Sequence, residues 1–95
     1  MINPSARPKL AAKVRLRFDR HSGEHWLIYP ERGMALNASA ARIAELCTGE
    51  HSVERIVAQL QSENSDTPPS ELAQDVQQFL ETLLVRKLIQ VMALE

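Results

Sequence analysis

The sequence is sparing in cysteine, glycine and aromatic residues: across 95 positions it has one Cys, three Gly, one Trp, one Tyr and two Phe. A single cysteine leaves no internal disulfide framework and suits a reducing compartment. Gly23, Gly33 and Gly49 are too scattered to form a glycine-rich phosphate loop. No apolar run approaches the roughly 18 residues that a membrane span requires. Met1 to Ala12 lacks the apolar stretch of a secretory signal. A charge excess is missing as well, because 11 basic and 12 acidic side chains leave a net −1. A general polyanion binder is normally basic. These absences imply a cytoplasmic protein of one small domain, with neither membrane nor nucleic acid as a partner.

Charge is nonetheless uneven. Residues 1–20 hold six basic side chains and one acid, a balance of +5, and the other 75 residues carry −6. Pro4 and Pro8 interrupt the start of the chain. Residues 1–12 read as a flexible basic arm and residues 13–92 as the domain.

Lys13 to Phe18 alternates charged and apolar side chains, the period of a half-buried strand, with Val14, Leu16 and Phe18 expected inward. A polar stretch from Asp19 to Glu24 predicts a hairpin connection, and His25 to Tyr29 a second strand ended by Pro30. Gly33 permits a turn before a short third strand at Met34 to Leu36. Helical spacing follows at Ala40, Ile43, Ala44 and Cys47, with Ser39 or Asn37 as N-cap and Gly49 as the closing residue. Ser52 caps a second helix with its stripe at Val53, Ile56, Val57 and Leu60. Pro68 and Pro69 open a third, whose stripe runs through Leu72, Val76, Phe79, Leu80, Leu83 and Lys87. Leu88 to Val91 reads as a short strand or a helix tail. The outline is α+β and winged-helix-like: a three-stranded antiparallel meander followed by three helices.

Catalytic constellations are scarce. His21 and His25 are four apart, but Gly23 between them argues for a turn, where that spacing holds no metal. Cys47 lies on an apolar stripe near a helix C-terminus, the setting of a core thiol. No catalytic residue, metal site or cofactor is expected, so the chain does not read as an enzyme. The faces of helices two and three are mixed or rich in glutamine, with Gln74, Gln77, Gln78 and Glu81 expected exposed on the third. Such faces attract phosphate weakly. A short meander, by contrast, leaves an edge strand with unpaired backbone groups, which an extended peptide can join. The stretch Gly33 to Asn37 has no blocking charge after Arg32.

The stretch Leu27-Ile28-Tyr29-Pro30-Glu31-Arg32-Gly33, then Leu36-Asn37, Ala40 and Leu46-Cys47-Thr48-Gly49, resembles the signature of the PqqD family. The spacing to Val53, Ile56, Leu60, Phe79, Leu80 and Leu83 agrees, so the resemblance covers about residues 13–91. Family members often place Gly directly after Pro-Glu; here Arg32 intervenes. The resemblance implies a non-catalytic recognition element of pyrroloquinoline quinone (PQQ) biosynthesis. Such a peptide chaperone binds the ribosomally made precursor peptide PqqA. It presents that peptide to PqqE, a radical S-adenosylmethionine enzyme that joins a Glu and a Tyr of it. The leader is implied to add as a strand beside the third strand, in a cleft against the third helix.

Mapped onto this chain, the resemblance sets Gly33, Met34, Ala35, Leu36 and Asn37 against the third helix; spacing leaves both of its flanks open, and Asp75, Phe79, Thr82 and Arg86 are favoured as the binding flank because they offer an aromatic and both charge signs. Ala73, Gln77 and Leu84 form the other flank. Two further readings stand beside this one: a winged-helix DNA-binding protein, and a structural subunit whose exposed edge pairs with a second copy in a homodimer.

Overall fold

A computed structural model describes residues 2–92. Five strands and three helices run in the order β1 (Arg7–Leu10), β2 (Arg15–Asp19), β3 (Glu24–Tyr29), β4 (Arg32–Leu36), α1 (Ala38–Glu45), α2 (Val53–Glu63), α3 (Pro69–Val85) and β5 (Ile89–Met92). The meander β2-β3-β4 is antiparallel throughout, and β1 and β5 make a separate two-stranded sheet. The α+β class and the order of meander then helices agree with the sequence reading. The second sheet was not expected.

The meander folds because its apolar residues alternate. Leu16, Leu27 and Met34 sit side by side across the three strands and face inward. Helix α1 packs across all three strands and contributes Ala41, Ile43 and Ala44 to the same core. Helix α3 buries Val76, Leu80 and Leu83 against α2 and β5. Pro69 serves at its first position, where a missing N–H costs nothing. Its end is a Schellman turn: Lys87 takes φ 61°, Leu88 N–H bonds Leu83 C=O at 2.9 Å, and Lys87 N–H bonds Leu84 C=O at 3.0 Å. That turn redirects the chain into β5, so Ile89 to Val91 are strand rather than helix tail and Leu88 closes the turn.

The first residues differ most from expectation. Residues 2–12, read above as a flexible arm, are built into the domain. Ile2, Ala6 and Pro8 are buried, and β1 pairs with β5 from Arg7–Met92 to Leu10–Ile89. The reason is a backbone seam that composition does not reveal. Val53 N–H bonds Ala6 C=O, Glu54 N–H bonds Pro4 C=O, and Gly49 N–H bonds Pro8 C=O, so this segment satisfies the start of α2. The Gln77 amide grips the Ile2 backbone in both directions, at 3.0 and 2.8 Å. Gln77 is therefore half-buried, not a solvent-facing helix former.

Smaller corrections have local causes. Asn37 caps α1, its Oδ1 accepting Ala40 N–H at 2.8 Å, and Ser39 lies inside the helix. The helix closes at Glu45, four residues before Gly49, whose positive φ serves a turn instead. Gly33 is in β4 and not in the turn; Glu31 takes the left-handed conformation, φ 68°, directly after Pro30. Phe18 is 56% exposed, since it lies at the hairpin end of β2 beyond the reach of α1. Its ring meets His25 at 4.8 Å.

Deleting residues 1–6 removes buried Ile2 and Ala6 and should lower stability by about 2–3 kcal/mol. Urea denaturation checks this; an unchanged midpoint would restore the mobile-arm reading.

Candidate functional site

Strand β4 is an edge. It pairs with β3 through Tyr29–Arg32, Ile28–Gly33, Leu27–Met34, Trp26–Ala35 and His25–Leu36, and has no strand on its other side among the described residues. Pro30 and Glu31 alone connect the strands, so Tyr29–Arg32 is the closing hydrogen-bonded pair. Bonded and non-bonded pairs alternate along an antiparallel ladder. Arg32, Met34 and Leu36 therefore bond β3, while Gly33 and Ala35 turn their N–H and C=O groups to the open edge. Both residues are exposed and uncharged. The opposite edge, β2, carries Arg15 and Arg17, the sort of charges that discourage strand addition.

The remaining expected residues divide by environment. Leu36 is buried in the core and Met34 is half-buried against it, so Met34 is the one open to a ligand. Asn37 is exposed, but its side chain is engaged as the α1 cap. On α3, Phe79 is half-buried against the core, and Asp75, Thr82 and Arg86 are exposed. Thr82 Oγ1 donates to Gln78 C=O at 3.0 Å. Among the described residues, Asp75 and Arg86 make no ion pair or side-chain hydrogen bond. Helix α3 thus has two unlike flanks. Gln77, on one, is occupied by Ile2; the flank with Asp75 and Arg86 keeps free charges of both signs.

These residues do not share one depression. Asp75 lines a cavity of about 420 Å³ with Ala38, Ser39, Ile43, Leu72 and Val76, where β4 runs into α1. Thr82 and Arg86 line a separate one of about 480 Å³ with Gln78, Glu81 and Val85. The first cavity is bordered by an ion pair absent from the sequence reading. Arg42 clasps both carboxylate oxygens of Glu63, with Nη2 to Oε2 at 2.7 Å, and Gln59 adds a bond at 2.9 Å. Hydrogen bonds from Arg42, then from Gln59, hold the Glu63 carboxyl down at about 2. Only their positions on the same side of two adjacent helices could have suggested the pair.

Cys47 is buried, as expected of a core thiol, and burial pushes it up to about 12. His21 is an exposed turn residue, and His25 is in β3 beside Phe18. Among the described residues, no helix is long and apolar enough to cross a membrane.

Fold and edge together define a small α+β binding domain with one unguarded strand. Comparison with known proteins gives the particular kind. Residues 24–89 match the family model for coenzyme PQQ synthesis protein D, PqqD. The PqqA binding protein of Rhizobium meliloti (strain 1021) is 37% identical over 91 residues, 96% of this chain and 92% of that one. The fold is similar to the solution NMR structure of the PqqD truncation of Methylobacterium extorquens PqqCD. That structure represents a functional, stand-alone recognition element for ribosomally synthesized and post-translationally modified peptides. The TM-score is 0.73 at 30% identity, over 87% of each chain. TbiB1 in complex with the TbiA(beta) leader peptide shares the fold, with TM-score 0.73 at 21% identity over 86% of this chain and 94% of that one. The chain belongs to the PqqD family.

The Arg42–Glu63 pair gives a pH signature. A carboxyl at about 2 in the folded chain, against an ordinary 4.5, stabilises fully above pH 4.5 and loses that contribution as pH falls towards 2. Between pH 5 and 2 the melting temperature of the wild type should therefore fall more steeply than that of Glu63→Gln. Parallel curves from thermal melts would show that the clasp contributes nothing.

Proposed function

We propose that this chain is a peptide chaperone of PQQ biosynthesis. It binds the precursor peptide PqqA by strand addition at β4 and presents it to the radical S-adenosylmethionine enzyme PqqE. The observation that carries this reading is the outward N–H and C=O groups of Gly33 and Ala35 on an edge with no blocking charge after Arg32. The name of the Rhizobium relative, PqqA binding protein, supports it from outside.

The peptide backbone bonds Gly33 and Ala35, and an inward-facing side chain meets Met34, whose thioether adapts to shape. Asp75, Phe79, Thr82 and Arg86 supply an aromatic face and both charge signs along α3 for the flanking residues. The domain holds and does not transform its ligand. Its contribution to the reaction is the raised effective concentration of the peptide's reactive segment at the enzyme. A reducing cytoplasm, where such a peptide is made, suits the one free thiol.

Titration with synthetic PqqA, followed by backbone amide shifts, tests this. Shifts should gather on Gly33 to Asn37 and on Asp75 to Arg86. Ala35→Pro removes an outward donor while leaving the β3–β4 ladder paired, and should weaken binding at least about tenfold, or ~1.4 kcal/mol. Shifts confined to other surfaces, or an unaltered Kd in Ala35→Pro, would place the peptide elsewhere. A mass that rises with concentration and falls in Ala35→Pro would instead show that a second copy takes the edge.

A further inference from the structure

The meander has a second face that the core does not use. Residues alternate, so Arg17, Trp26 and Ala35 form one row on the side away from α1, and Arg15, Ile28 and Gly33 form the next. The only tryptophan of the chain sits on this outer face, half-buried, and Ile28 beside it is 37% exposed. Both lean over β4: a Cβ built on Gly33 would lie 3.3 Å from Ile28 Cδ1 and 3.7 Å from Trp26 Cε3. A depression of about 530 Å³ opens there, lined by Arg17, Phe18, Arg20, Trp26 and Ile28 together with Asp19 and His21.

The charges on this face are not spent inside the chain. Arg17 and Arg20 have no ion pair or hydrogen-bonded partner among the described residues. Arg15 folds back on the Ala12 and Val14 carbonyls at 2.8 and 3.1 Å. Of the acids nearby, Asp19 accepts His21 N–H at 2.9 Å in the hairpin turn, and Glu24 pairs with Asp19 across the strands. Tryptophan and arginine beside open apolar surface form the composition of an interface centre.

We infer that the outer face of the β2-β3-β4 sheet, centred on Trp26 with Arg17 and Arg20, docks a protein surface that presents carboxylates around an apolar centre. A second copy of this chain does not fit. A two-fold contact through this face would bring four unpaired arginine charges, Arg17 and Arg20 of each copy, into one interface. A polyanion fits less well than a protein, because residues 21–95 carry −6 and would repel its flanks. The inference rests on the proposed function in one respect: presentation requires an enzyme-facing surface other than the peptide edge, and this one lies on the same sheet. A peptide held at β4 would then leave the sheet beside the bound enzyme.

The test measures two affinities for each variant, for synthetic PqqA and for purified PqqE. Arg17→Glu and Trp26→Ser should each weaken PqqE binding at least tenfold and change PqqA binding less than twofold. Arg55→Glu, the same charge change on exposed α2, should leave both unaltered. Wild-type PqqE affinity in Arg17→Glu and Trp26→Ser overturns the docking face while the peptide reading stands. An equal loss in Arg55→Glu also overturns it, since overall charge would then be the cause. Absence of PqqE binding by the wild-type chain overturns both the face and the presentation step. Retention on duplex DNA that Arg17→Glu abolishes would assign the face to nucleic acid.

Discussion

The two-residue connection between Tyr29 and Arg32 is the constraint on which the open edge depends. Its length fixes the pairing register of β3 and β4, and the register fixes which backbone groups are left over. One residue more in that connection would turn Gly33 and Ala35 towards β3 and bury their polar groups in the ladder. It would also move Met34 and Leu36 off the core face. Pro30 supplies the fixed φ of the first turn position. Glu31 accepts a left-handed backbone that costs a non-glycine residue on the order of 1 kcal/mol. The turn is strained in order to hold a register, and the register is what makes the edge usable.

Packing elsewhere makes α3 asymmetric in the same way. Its inner stripe is consumed by α2 and β5. Gln77 is consumed by Ile2, through two hydrogen bonds that the chain makes across 75 positions. What remains is the flank with Asp75, Phe79, Thr82 and Arg86. The N-terminal segment therefore does more than add stability. By occupying one side of the helix it leaves a single flank with unpaired charge, and it satisfies amide groups at the start of α2 that would otherwise face solvent.

Local pattern made much of this legible. The alternation from Lys13 to Phe18, the aromatic run His25 to Tyr29 and the helical stripes gave the meander and all three helices, because each is a contest between neighbours in sequence. The edge character of Gly33 to Asn37 followed from the same count. What escaped was non-local. Residues 1–12 look like a mobile arm by composition, and it is the pairing of β1 with β5, the Gln77 bonds to Ile2 and backbone bonds to Cys47, Gly49, Val53, Glu54 and Leu88 that make residues 2–12 part of the fold. The Arg42–Glu63 clasp spans 21 positions between two helices, and no periodicity announces it. Phe18 was misplaced for a geometric reason: strand alternation predicts the side of a sheet, not how far along it the covering helix extends. The α3 residues were chosen as a flank, and they form one; their division between two depressions depends on where α1 begins, which sequence spacing does not fix.

Antiparallel pairing of β1 with β5 has a consequence for how the module can be carried. The first and last strands of the described residues run side by side, Arg7 opposite Met92. They lie in a sheet separate from the one that bears β4. A neighbour held beside the β1-β5 sheet would sit against a sheet other than the one that bears the open edge. The similar domain cut from Methylobacterium PqqCD folds on its own. Fusion at this sheet would tether a neighbour while leaving the strand-accepting edge unobstructed.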